Sequence, residues 1–160
     1  WLAVKYAYKD ARRYAVLRGL TLKGTQKIWD SSIFAIGLVW AKRQGRDQLK
    51  RYLDDSYERF WKRELDIEDP NVIVGQLRAS GCAVQGFESY LAGEGREYHD
   101  RLQDEILDRG YYGVPTYVID GEAYFGRQHL PRVRWHLQGQ VGALPDISYD
   151  TILEKRLVAS

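Results

Sequence analysis

Few side chains in this sequence can do chemistry, and their spacing says more than their number. A single cysteine, Cys82, excludes an internal disulfide and any Cys-x-x-Cys redox pair within the chain. It stands in the turn before a helix, where a thiol can become acidic and reactive. No histidine or second cysteine lies near it in sequence, so a buried bystander is the better reading. His99 sits among Glu94, Asp100, Asp104 and Glu105 without a His-x3-His or comparable ligand spacing, so no metal is expected. Asp66, Glu68 and Asp69 could suggest acid–base or metal work. A helix start explains them better, with Asp69 as cap, Pro70 in the first helical position and acids at the positive end of the macrodipole. Lys5, Lys9, Arg12 and Arg13 read as a solvated basic face, with a carboxylate subsite as the alternative. The remaining candidates fall in one stretch: Gly113-Val-Pro-Thr, then Phe125-Gly-Arg-Gln-His129.

That stretch needs a particular frame. Thr116 to Ile119 and Glu122 to Phe125 are short β-favouring runs joined by Asp120-Gly121, which predicts a hairpin with a type I′ turn. Pro115 cannot donate a ladder hydrogen bond and belongs at a strand start; a cis bond there would make the turn a built feature. A helix comes next, carrying Leu130, Val133 and Leu137 with Pro131 in its first turn.

Everything upstream reads as helix. Val4, Tyr8, Ala11 and Ala15 form a helical stripe that Gly19 ends, and residues 20–29 are a polar connection carrying Trp29. Asp30-Ser31-Ser32 caps a run from Ile33 to Trp40 that is apolar on most sides, which predicts a buried helix closed by Gly45. Leu49, Tyr52, Leu53, Ser56, Tyr57, Phe60 and Trp61 then mark an amphipathic helix, whose aromatics read as core or, less simply, as the lining of a ligand cavity. Further helices are expected around Ile73 and Leu77, Phe87 and Tyr90, and Leu102 and Ile106. A short helical run, Ile152 to Val158, is expected in the tail. The tally is about six helices and two strands, an α+β arrangement as the chain stands.

Composition narrows the class. A hydrophobic content of 44% with 29% charge is that of an ordinary globular chain, and a net charge of +2 gives no reason to expect nucleic acid. No run approaches the roughly 18 apolar residues of a membrane span. The chain starts with Trp1 and contains no methionine, so its true N-terminus is expected to lie upstream. The expected compartment is cytoplasmic, with the periplasm left open.

Gly113-Val-Pro-Thr, the Asp-Gly hairpin and Phe125-Gly-Arg-Gln-His-Leu130 resemble the C-terminal half of a thioredoxin-like domain of the DsbA family. Within it the resemblance is nearest to 2-hydroxychromene-2-carboxylate isomerases and kappa-class glutathione transferases. Tyr6-Ala-Tyr-Lys-Asp-Ala-Arg-Arg13, Lys27-Ile-Trp-Asp-Ser-Ser32, Trp40-Ala-Lys-Arg-Gln-Gly45 and Tyr57 to Pro70 are similar to the helical insertion that splits the fold in those proteins. The resemblance covers residues 1 to 138. It implies an α/β fold: a helical insertion domain over 1–110, a thioredoxin-like ββα unit over 111–138, and a tail over 139–160.

The family opens with a β-α-β unit carrying a reacting Ser, or a Cys-x-x-Cys in its oxidoreductases. That unit has no counterpart here, so no catalytic residue is assigned and these residues alone are expected to be inactive. What the resemblance does imply is the glutathione-facing wall. Val114, before Pro115, would offer its backbone to the cysteinyl part of glutathione, and Phe125, Gly126, Arg127 and Gln128 would hold the γ-glutamyl end. The family often has Asp where Gln128 stands; a neutral amide pairs more weakly with the glutathione ammonium. Tyr8 and Trp29 are the expected liners of a pocket for a small aromatic or unsaturated substrate. The implied function is a glutathione-dependent isomerase or transferase. The alternatives are a protein thiol–disulfide oxidoreductase and a non-catalytic peptide-binding module, with a homodimer left open and no nucleic-acid or membrane partner.

Overall fold

The computed structural model describes residues 1–145, which form two compact units divided between Gln103 and Asp104. The expected run from Ile152 to Val158 lies outside the described residues.

The first unit is helical: α1 (Leu2–Leu17), α2 (Ser32–Gln44), α3 (Arg46–Trp61), α4 (Pro70–Ala79), α5 (Phe87–Ala92), and the start of α6 (Glu94–Asp108). Because α2 is apolar on nearly every side, it sits at the centre: no side chain from Ile33 to Ala41 is fully exposed, and it packs against α3, α4 and α5. Ile36, Ala41, Tyr52, Ile73, Leu77, Phe87 and Tyr90 form the core with Cys82. The absent side chain of Gly37 lets α2 and α3 close together, since a Cβ there would lie 2.5 Å from the Tyr52 hydroxyl. That hydroxyl donates to the Phe34 carbonyl at 3.1 Å, and the Phe34 and Tyr52 rings stack at 5.3 Å. Between α3 and α4, Arg59 donates to the buried Gln76 side chain at 2.6 Å and Gln76 donates to Asp55, so this buried amide is satisfied on both sides.

The caps agree with the sequence. Asp69 accepts the Asn71 N–H at 2.8 Å with Pro70 in the first turn. At α2 the N-cap position is Ser31, which makes no side-chain cap bond, and Asp30 just before it accepts the Ser32 N–H at 2.9 Å. The α1 stripe behaves differently: only Ala15 is buried and Val4 is exposed. A stripe is buried only where another element lies against it, and α1 is held near its C-terminal end. Arg12 donates to the Leu22 and Lys23 carbonyls at 3.0 and 3.3 Å, and Tyr8 meets the Trp61 ring edge-on at 6.3 Å.

The second unit contains β1 (Thr116–Ile119), β2 (Glu122–Phe125), a 3-10 turn over Arg127–His129 and α7 (Leu130–Leu137). The strands are antiparallel, with Thr116 opposite Phe125 and Ile119 opposite Glu122. Asp120 and Gly121 take φ values of 52° and 83°, the double positive φ of a type I′ turn. This mixed architecture is consistent with the α/β class, and the hairpin has the predicted bounds.

Candidate functional site

In the second unit the chain enters β1 through a cis Val114–Pro115 peptide bond, with Val114 90% exposed. The Thr116 hydroxyl donates to the Gly113 carbonyl at 2.6 Å and fixes the entry turn. Across the hairpin, the Gly126 N–H donates to the Pro115 carbonyl at 2.8 Å, one step beyond the strand ladder. This bond puts Val114 and Pro115 beside the Phe125-to-Gln128 run. Gly126 has φ 106° and ψ 157°, a conformation essentially reserved for glycine. Gln128 donates to the Phe125 carbonyl at 3.3 Å, which folds its amide back onto the hairpin end. The Phe125 ring lies against Gly113, where a Cβ would come within 2.6 Å, and meets Tyr112 at 5.0 Å. Arg127 is exposed on the turn. The six residues Val114, Pro115, Phe125, Gly126, Arg127 and Gln128 therefore lie on one loop cluster.

Behind that cluster is a group that sequence reasoning missed. Tyr124 is the buried residue of the hairpin, and its hydroxyl donates to Glu122 at 2.7 Å and lies 3.4 Å from His136 Nε2. The His129 and His136 rings flank it at 5.7 and 5.9 Å. The bond to Glu122, helped by burial, raises the Tyr124 pKa, so the phenol stays protonated as a donor. Only β alternation marks Tyr124 as inward-facing, and nothing local in the sequence pairs it with His136.

In the helical unit the connection carrying Trp29 lies against α3 and borders a half-open cavity of about 340 Å³. Trp29, Phe34, Tyr57, Phe60 and Trp61 line it, with Ser56, Ile67 and the 25–31 segment. The rings meet edge-on, Trp29 with Phe60 at 5.8 Å and Phe34 with Tyr57 at 5.9 Å. The alternative for the α3 aromatics, that they line a cavity, thus describes Tyr57, Phe60 and Trp61, whereas Tyr52 is core. Of the two expected pocket residues, Trp29 lines this cavity; Tyr8 does not, and packs on Trp61 and beside Gly24 instead.

The mouth is held by Lys27, whose ammonium lies 4.3 Å from the Trp29 ring centre and pairs with Glu68. Glu68 also accepts the Asp30 N–H at 2.7 Å. The Lys27 bond first, and the backbone bond next, hold the Glu68 carboxyl below the usual glutamate range. A pair 41 residues apart leaves no signal in local sequence.

The other candidates take structural places. Cys82 is buried in the core and burial pushes its thiol up, away from reactivity. Among the described residues no group of three or more His, Cys, Asp or Glu could hold a metal, and no helix is long and apolar enough to cross a membrane.

Comparison with known proteins places this geometry in context. The family model described as a DSBA-like thioredoxin domain matches residues 3–138. The chain is also 26% identical over 90 residues to 2-hydroxychromene-2-carboxylate isomerase of Sphingobium xenophagum, a match covering 54% of this chain and 45% of the relative. The chain thus spans less than half the length of the curated relative it matches.

Proposed function

This chain belongs to the DSBA-like thioredoxin domain family, and from that premise we propose that the protein is a glutathione-dependent isomerase or transferase acting on a small aromatic or unsaturated molecule. The observation that carries the reading is the loop cluster in which Val114 is exposed while the next residue's carbonyl, that of Pro115, accepts from the Gly126 N–H. An extended cysteinyl segment would pair with the Val114 backbone. The γ-glutamyl carboxylate would sit at the Gly126 turn near Arg127, with Gln128 facing the ammonium. When bound, glutathione supplies a nucleophilic thiol; no residue of this chain is assigned to the reacting position. The aromatic cavity beside Trp29 supports a flat, largely apolar substrate. The name of the distant relative supports isomerase chemistry in particular.

Calorimetric titration with reduced glutathione tests this. Binding is expected, and Gln128→Asp is expected to tighten it by about two- to fivefold by offering the ammonium a carboxylate. Gly126→Ala, forced into a glycine-only conformation, is expected to weaken it while the helical unit keeps its melting behaviour. Absence of any heat with glutathione would sink the proposal. The exposed Val114 edge also supports a second reading, a thioredoxin-like module that pairs with a peptide strand, with or without thiol–disulfide exchange. Insulin reduction by the full-length gene product, without glutathione binding, would favour it.

A further inference from the structure

We propose that Tyr124 is the positioning residue of the loop cluster: a one-way hydrogen-bond chain, from Gln140 to His136 to Tyr124 to Glu122, docks α7 onto the hairpin and so fixes the turn that carries Gly126, Arg127 and Gln128. That the turn holds a ligand rests on the function proposed above; that the chain holds the turn does not.

The turn has little freedom of its own. β2 ends at Phe125 and α7 begins at Leu130, so residues 126–129 go where those two elements put them. What joins the elements is mostly polar. No side chain of α7 is fully buried, and Tyr124 is the buried residue of the hairpin. Alternation along β2 puts Tyr124 on one face with Glu122, and the ladder adds Tyr117, its cross-strand partner, to the same face. From α7, His136 reaches the Tyr124 hydroxyl at 3.4 Å and Arg132 places its guanidinium 5.5 Å from the ring centre. The His129 ring, in the turn itself, lies 5.7 Å from the Tyr124 ring.

Donor and acceptor chemistry gives the chain its direction. The Tyr124 proton goes to Glu122 at 2.7 Å, because an ionised carboxylate only accepts. The phenol oxygen is then left to accept, so neutral His136 carries its proton on Nε2. Its bare Nδ1 accepts in turn from the Gln140 amide at 3.3 Å. Arg132 is a donor only, so it too favours a Tyr124 proton turned to Glu122. Gln140 stands just past α7 at φ 61°, and the bond to His136 holds that left-handed residue in place.

NMR of the imidazole nitrogens in the whole chain, at about pH 8.5 and so above the ordinary histidine range, tests the direction. His136 is expected as the Nε2–H tautomer. Glu122→Ala frees the Tyr124 proton to turn to His136 and is expected to shift His136 toward the Nδ1–H tautomer. Glu122→Gln keeps an acceptor and is expected to leave it unchanged. Amide hydrogen exchange tests the positioning: Tyr124→Phe is expected to speed exchange about two- to tenfold at the bonded amides of the turn, Gly126 and His129, and to leave α2 and α3 alone. Glutathione affinity should fall about two- to fivefold in Tyr124→Phe and hold in Glu122→Gln. An Nδ1–H tautomer in the unaltered chain, a tautomer indifferent to Glu122→Ala, or unchanged exchange in Tyr124→Phe would overturn the inference. If Glu122→Ala does not fold, the unaltered tautomer and Tyr124→Phe decide. Absence of glutathione binding removes the ligand reading alone, since tautomer and exchange are read without it.

Discussion

The two units solve the same problem with unequal means. In the helical unit, α2 is surrounded by α3, α4 and α5, so Ile36, Tyr52, Ile73, Leu77 and Phe87 leave water almost completely. In the second unit, two four-residue strands and an eight-residue helix bury one side chain, Tyr124, while Val118, Phe125 and Leu137 stay exposed. A two-stranded hairpin has too little surface to cover both its faces. The two units therefore divide the labour. The helical unit gains rigidity from packing and tolerates the unmet, buried Ser56 hydroxyl, whereas the hairpin holds its loop cluster through individual hydrogen bonds.

The contrast can be broken by substitution, and the largest effect belongs to the core. Leu77→Ala removes a fully buried side chain and is expected to cost about 2–5 kcal/mol, read from denaturant unfolding of the whole chain. A cost near zero would show that the helical core does not govern stability. Tyr124→Phe is the corresponding change in the hairpin. It keeps the ring and deletes the hydroxyl that donates to Glu122, so about 0.5–1.5 kcal/mol is expected, confined in hydrogen exchange to residues after Asp104. Protection lost throughout the chain would contradict that confinement.

The smallest effect is in pH, where Glu68 in the helical unit and Tyr124 in the hairpin should respond at opposite ends. Asp30, Glu68 and Glu94 in the helical unit have lowered pKa values, from the Ser32 bonds, the Lys27 bond and the Arg43 bond respectively. Each favours the folded state when ionised. Their contribution is complete above the ordinary carboxylate range and is lost as pH falls through the lowered folded values. Tyr124 is the reverse: its pKa is raised, so its contribution is complete below the ordinary tyrosine range and is lost as pH rises through the folded value. Glu68→Gln should flatten part of the acid slope and leave the alkaline one unchanged. Tyr124→Phe should do the opposite. Matching changes in both variants would mean the slopes do not belong to these groups.

Local chemistry made much of this legible. The hairpin was readable because Asp120-Gly121 admits few other turns between β-favouring runs, and α4 because Asp69-Pro70 fits a helix start and little else. The burial of α2 was readable because an all-round apolar helix has no face to give to water. The α1 stripe was misleading in one respect, since periodicity gives a helix a face without giving that face a partner.

The sequence by itself determined the elements, the turn and the motif that places the chain in its family, because each depends on residues within a few positions of one another. Only the tertiary structure decided which side chains meet. Ser56 was one more position on a stripe until the fold laid the Trp29 segment against α3 and left its hydroxyl without a partner. Lys27 was one of many cations until Glu68, 41 residues away, neutralised it at the cavity mouth. Pairings at that range are set by packing, in which every helix face takes the neighbour that best excludes water, and no local pattern encodes that choice.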